Sequence, residues 1–164
     1  MTQSMFHDIA DFHLRFMLAP SDEYTLPKDF QKFRVQTLLE EVFEYAFAVG
    51  FVPAGIFPSF PDQRTEVKIT RSCCPQEISE EAAFDALIDL VYFALGTAYI
   101  HGFPFKKGWD RVHAANMKKV RALRPADSKR DTVYDVIKPE GWEPPAFDDL
   151  LWPVTIDQLA CNED

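Results

Sequence analysis

Cysteine is scarce. The chain has three in 164 residues, and two of them, Cys73 and Cys74, are adjacent. An odd count with no CxxC spacing excludes a disulfide framework and a cysteine-based zinc site. It points to a reducing cytoplasm as the compartment. Cys73 and Cys74 have no base partner in the surrounding sequence and read as structural or incidental. Basic blocks are missing too. The net charge is −9 and the pI about 4.9, so a nucleic-acid-binding surface is not expected. An anionic chain can still take an anionic substrate where a metal ion supplies the balancing charge. The first residues, Met1 to Asp8, lack the basic-then-apolar order of a signal peptide. The longest apolar stretches are broken by Gly50, Pro53, Gly55 and Pro58, or carry Asp85 and Asp89. No membrane-spanning helix is therefore expected. There is no internal repeat and no low-complexity segment.

What is present suits one globular domain with a real core: 47% of residues are hydrophobic and 26% charged. The pattern predicts a first amphipathic helix from about Ser4 to Met17. Pro20 and Pro27 bracket a short loop, and a second helix runs from about Lys28 to Val49 and stops at Gly50. Residues 51–77 look irregular, a long connecting arm in which Thr65–Thr70 alternates as a short strand would. A third helix starts near Ser79, a candidate cap, and runs to about His101 before Gly102 and Pro104. A fourth runs from about Lys106 or Gly108 to Leu123. Residues 126–164 form an extension packed on the same domain, with an ordered turn at Val136–Trp142 and a short helix near Thr155–Cys161. The domain expectation is thus a helical catalytic part, 1–125, and an extension, 126–164.

Two stretches place acids where acids are costly. Leu38-Leu-Glu-Glu-Val-Phe-Glu-Tyr45 sets Glu40, Glu41 and Glu44 within one helical turn, inside an apolar run. In Ala82–Ile100 the only charges are Asp85 and Asp89, four apart on one face. Burying an unpaired carboxylate costs several kcal/mol or raises its pKa. Such a cluster needs solvent, a cationic side chain or a metal ion. A solvated helix face would explain one such stretch; two in the same setting weaken that reading. If the two helices pack antiparallel, five carboxylates can converge, a donor set for a hard divalent cation such as Mg2+.

The same residues resemble the all-α nucleotide pyrophosphohydrolases of the MazG-like and phosphoribosyl-ATP pyrophosphohydrolase-like type. Their signature is an ExxE pair on one helix and an ExxD pair on the next. Glu41 and Glu44 fill the first, and Asp89 fills the last acidic position. Asp11-Phe-His13, Gly96-Thr-Ala98, Val112–Lys119 and Lys138-Pro-Glu-Gly-Trp142 are similar to further motifs of the phage and bacterial branch. The likeness covers about residues 9–145. One position departs from it. The family usually has a Glu three residues before the final Asp; here that residue is Ala86, and the acid is Asp85.

The resemblance implies an all-α, four-to-five-helix bundle with a long irregular arm and a non-helical C-terminal tail. It implies hydrolysis of a nucleoside triphosphate between the α and β phosphates, to a monophosphate and pyrophosphate. Mg2+, or Mn2+, would be held by Glu41, Glu44, Asp85 and Asp89, and would lower the pKa of a water. Glu40, Glu41 or Glu44 would serve as the base, Glu40 and Glu41 foremost, with Glu40 otherwise a ligand. His13, Asn116 and Lys119 would contact substrate, although Lys118 and Lys119 also suit a solvated helix end and His13 a packing role. His113 is a weaker candidate. Arg34 could pair with a carboxylate or a phosphate. Tyr92 and Trp142 could stack on a base or belong to the core. The resemblance also implies a homo-oligomer, dimer or tetramer, with Phe47, Phe51, Phe57 and Phe60 available for its interface. Two rivals remain at this point. One is a di-iron bundle, for which only Asp110 and His113 have the carboxylate-x-x-His spacing. The other is a helical interaction module of the same fold that no longer hydrolyses anything.

Overall fold

The computed structural model describes residues 4–18, 26–57, 66–72 and 78–151. Cys73, Cys74, Phe60, the side chain of Phe57 and the short helix expected near 155–161 lie outside the described residues. The chain is mostly helical, as expected. Among the described residues there are four α-helices: α1 (Met5–Arg15), α2 (Lys28–Ala48), α3 (Glu80–Ile100) and α4 (Phe105–Met117). Two short antiparallel strand pairs accompany them. The chain divides into two compact units. One is Asp8–His101; the other joins Met1–His7 to Gly102–Asp164.

In the first unit, α2 and α3 run antiparallel. The Ser79 amide, at the start of α3, donates to the Ala48 carbonyl at the end of α2, 3.0 Å away. At the other end Arg34 of α2 bonds Phe93 and Thr97 of α3. Two ties of this kind fix the register. Ser79 is the helix cap the sequence suggested: its hydroxyl accepts from the Ala82 amide at 3.1 Å. Glu80 and Glu81 occupy the first turn, where the helix dipole favours acids. α3 has the length and hydropathy of a membrane span, an outcome not expected from the broken apolar runs; here it is packed along α2.

Residues 51–57 correct the expectation of an irregular segment. Phe51–Phe57 form β1, paired with β2 (Glu66–Arg71), from Phe51 opposite Arg71 to Phe57 opposite Glu66. The register slips between Pro53 and Gly55. Proline and glycine normally break a strand, and a bulge is the device that tolerates them. β2 falls on the stretch whose alternation suggested a strand.

In the second unit α4 ends at Met117, six residues short of the expected Leu123. Val120–Arg121 instead form β3, which pairs with β4 (Val136–Ile137). Pairing with a distant strand takes up backbone groups that a longer helix would have used. A 3-10 turn, Pro125–Asp127, lies between the strands. The ordered turn at the end of Val136–Trp142 is present, with the Trp142 amide donating to the Pro139 carbonyl at 3.1 Å.

The buried apolar residues of the first unit are few and include Ile9, Leu26, Ala48, Ala86, Leu95, Ala98 and Ile100. By contrast Phe33, Val35, Leu39, Val42, Tyr45 and Phe47 of α2, and Phe84, Leu87, Ile88 and Val91 of α3, are exposed.

Candidate functional site

The antiparallel register sets Glu41 and Glu44 of α2 across from the first half of α3. Glu41 is buried, with 8% of its surface exposed, and its Oε2 has no hydrogen-bond partner. Its pKa is raised, first by burial and then by the negative charges of Glu44, Asp89, Asp85 and Glu40. The other four acids singled out in the sequence therefore all act on Glu41. Glu40, Glu44, Asp85 and Asp89 are exposed around the buried member. They share a field without closing on one position. Among the described residues, no group of three or more His, Cys, Asp or Glu side chains converges closely enough to hold a metal ion. Like charges keep apart, and torsions of the exposed Glu and Asp side chains would have to turn to bring their oxygens together.

The donor set nevertheless suits a hard divalent cation. Every donor is a carboxylate oxygen, the charge is of one sign, and a buried oxygen is left without a proton donor. A buried acceptor of this kind costs about 1–3 kcal/mol when unmet, more when charged. Ala86, where the resemblance led one to look for a glutamate, is buried at 2% exposure. Asp85, the acid beside it, is exposed.

Two turns before Glu41 the same helix pair looks different. Arg34 is buried and donates from Nε to Thr97 Oγ1 at 3.0 Å and from a terminal nitrogen to the Phe93 carbonyl at 2.6 Å. Its guanidinium lies 5.0 Å from the centre of the Phe93 ring. Burial lowers its pKa. Arg34, left open by the sequence, thus ties α2 to α3 through neutral oxygens.

His13 of α1 packs into the same place. Its Nδ1 lies 2.8 Å from the Ile9 carbonyl, which can only accept, so Nδ1 carries the proton. Burial lowers the ring's pKa, the Ile9 bond opposes this, and the Arg34 charge lowers it further. Burial and the Arg34 charge favour the neutral ring, in which Nε2 is a buried acceptor with no partner.

Gly96 makes the arrangement possible. A Cβ there would stand 2.8 Å from His13 Cε1 and 2.9 Å from an Arg34 terminal nitrogen, closer than real contacts allow. The sequence marked Gly96-Thr-Ala98 as a motif without a role. Its role is to let a histidine and an arginine meet the face of α3.

Beside this cluster lies a pocket of about 350 Å³, lined by Phe12, His13, Leu18, Phe33, Arg34, Tyr92 and Phe93. Phe12 and Tyr92 meet edge to face with centres 5.4 Å apart. The walls are almost wholly apolar, and the polar groups behind them are His13 and Arg34.

The remaining candidates belong to the second unit. Asn116 is exposed and Lys119 half-buried. Lys119 Nζ lies 5.6 Å from the Trp142 ring centre, and Trp142 Nε1 donates to the Ala115 carbonyl at 2.8 Å. His113 is exposed, and Asp110 pairs with Lys106 at 2.8 Å. The carboxylate that a di-iron reading needs is thus already engaged.

The sequence model of the family described as phosphoribosyl-ATP pyrophosphohydrolase matches residues 10–116. That span holds α2, α3 and all five carboxylates. A comparison with curated proteins finds no match.

Proposed function

Since the chain belongs to the phosphoribosyl-ATP pyrophosphohydrolase family, we propose that it is a metal-dependent nucleoside triphosphate pyrophosphohydrolase that cleaves between the α and β phosphates. The observation that carries this reading is Glu41: a buried carboxylate oxygen without a partner, in the field of four more carboxylates. Glu41, Glu44, Asp85 and Asp89 would hold Mg2+ or Mn2+. When bound, the ion neutralises phosphate oxygens and makes a water more acidic.

The chain's own residues do the rest. One P–O bond of the α–β anhydride breaks and one forms to the oxygen of water. The proton of that water passes to Glu41 or Glu40. Pyrophosphate leaves with the bridging oxygen. Asn116 and Lys119 would contact the phosphates or sugar.

The aromatic pocket at His13 is the place this reading gives to the base. Its walls offer flat apolar surface to a base, and the buried His13 ring is part of that lining. That keeps His13 in the substrate-binding set and adds Phe12, Phe33, Tyr92 and Phe93 as walls.

A homo-oligomer is part of the proposal. Ten large apolar side chains of α2 and α3 are exposed, including Leu39, Val42, Leu87 and Ile88 around the acids. Contiguous surfaces of this kind are usually covered, and a second copy of α2 and α3 is the occupant we assign. A cytoplasmic location remains part of the same reading.

The test is pyrophosphate release from the common ribo- and deoxynucleoside triphosphates, dUTP and phosphoribosyl-ATP, with Mg2+ or Mn2+, beside Glu44→Gln. Metal-dependent release that disappears in the variant supports the reading. No release from any of them would favour the alternative, an interaction module that keeps the fold without the chemistry.

A further inference from the structure

The second unit carries a feature that the acids of the first do not explain. β3 and β4 pair with Val120 opposite Ile137 and Arg121 opposite Val136. The residues flanking this pair, just before β3 and just after β4, are Lys119 and Lys138. Their like charges are gathered: Lys119 Nζ lies 5.6 Å and Lys138 Nζ 4.2 Å from the centre of the same Trp142 ring.

The ring is a fixed platform. Its Nε1 is tied to the Ala115 carbonyl at the end of α4. Its backbone closes a four-residue turn, Pro139–Trp142, in which Gly141 adopts a φ of 75°. That turn shape needs a positive φ at its third residue, which glycine takes without strain.

Among the described residues, no carboxylate of this unit forms an ion pair with either lysine. Asp135 is taken by Ser128 and Arg130, which hold its carboxyl down at about 2. Asp127 is taken by Arg124, and Asp149 by Arg111. Glu140 and Glu143 lie in the same stretch, but among the described residues no ion pair joins either to Lys119 or Lys138. Arg111, Arg124 and Arg130 are matched with acids, and the two lysines stand against one aromatic ring.

We propose that Lys119 and Lys138, both held at the Trp142 ring, form a cradle for a polyphosphate anion. Two ammoniums on one ring are within the span of a diphosphate or triphosphate group. The indole face orients them while leaving their N–H donors available. This inference deepens the proposed function and rests on the chain acting on a polyphosphate.

The experiment is calorimetric titration of inorganic pyrophosphate and tripolyphosphate into the full chain without divalent cations. Wild type is compared with Lys138→Gln, Lys138→Arg and Lys119→Gln, each checked for folding by circular dichroism. Saturable binding is expected, weakened about tenfold or more by each Gln variant and largely kept by Lys138→Arg. Absence of binding in folded wild type would overturn the proposal. So would equal affinity in wild type and folded Lys138→Gln. Should Lys138→Gln fail to fold, Lys138→Arg and Lys119→Gln still decide it. Turnover of nucleotides with unchanged anion affinity in the variants would reject the cradle and keep the enzyme. Lysine-dependent anion binding without turnover would do the reverse.

Discussion

The two ends of the α2–α3 pair are built from the same helices and solve opposite problems. At one end, Arg34 is buried with its nitrogens on the Phe93 carbonyl and the Thr97 hydroxyl, and Gly96 removes the atoms that would block it. Two turns along, Glu41 is buried with an oxygen bonded to nothing and four like charges around it. The first end is a finished internal joint. The second is an arrangement that helix packing alone does not satisfy. A buried charge is tolerable when hydrogen-bonded and costly when not. The contrast indicates that the first end holds the helices in register and that the second is reserved for chemistry.

The strongest way to test that contrast is to neutralise the acidic end. Glu41→Gln keeps the shape and removes the charge. The expected outcome is a loss of about 10²- to 10⁴-fold in pyrophosphate release, the range for removing a general base. Thermal stability should be unchanged or raised, because a buried like-charge contact is gone. Marked unfolding of Glu41→Gln would mean that the carboxylate is structural and would remove the distinction between the ends.

Gly96→Ala attacks the joint instead. The added methyl meets His13 and Arg34 and should destabilise the fold by about 1–3 kcal/mol, measured by urea or thermal unfolding. Activity should fall with it, since the register of the acids depends on the same contacts. Unaltered stability would show that His13 and Arg34 can move aside.

Smaller is the effect of Ser79→Ala, which removes the hydroxyl capping α3 near the acidic end. A loss of about 1 kcal/mol is expected in the same unfolding assay. Activity per folded molecule should hold, because the Ser79 backbone amide still bonds Ala48.

The least conspicuous prediction concerns pH, and the two ends should respond with opposite sign. The pKa of Glu41 is raised, so between the ordinary glutamate value and the raised one the native chain holds a proton that the unfolded chain has released. Stability therefore falls as pH rises through that window. The pKa of His13 is lowered, so between the lowered value and the ordinary histidine value the unfolded chain holds the extra proton. Stability therefore falls as pH drops through that window. Unfolding free energy measured against pH in chelator should lose the first slope in Glu41→Gln and the second in His13→Phe. Slopes that persist in both variants would assign them to other groups.

The acids were legible in the sequence because charge inside an apolar helix stands out whatever lies opposite. The helix bounds were legible for a similar reason: Gly50, Ser79 and Pro104 act locally. β1 was not, since Pro53 and Gly55 argue against a strand and a bulge absorbs both. The end of α4 was missed because Val120 and Arg121 take their pairing from Val136 and Ile137, which local pattern does not reveal. The joint was missed for a related reason. A lone Arg34 and a helical Gly96 carry no periodic signal, and their value arises only where α1, α2 and α3 meet. Lys138 was marked only as part of the Lys138–Trp142 motif, because its nearness to the Trp142 ring that Lys119 also approaches is non-local.

The central claim is that the acidic end of α2–α3 holds a divalent cation. The most direct measurement is calorimetric titration of Mg2+ into the full chain and into Glu41→Gln. The account predicts saturable binding to wild type and at least tenfold weaker binding to the variant, the scale on which perturbing even a supporting group of a metal site is felt. The same affinity in both, or no binding to wild type, would contradict it.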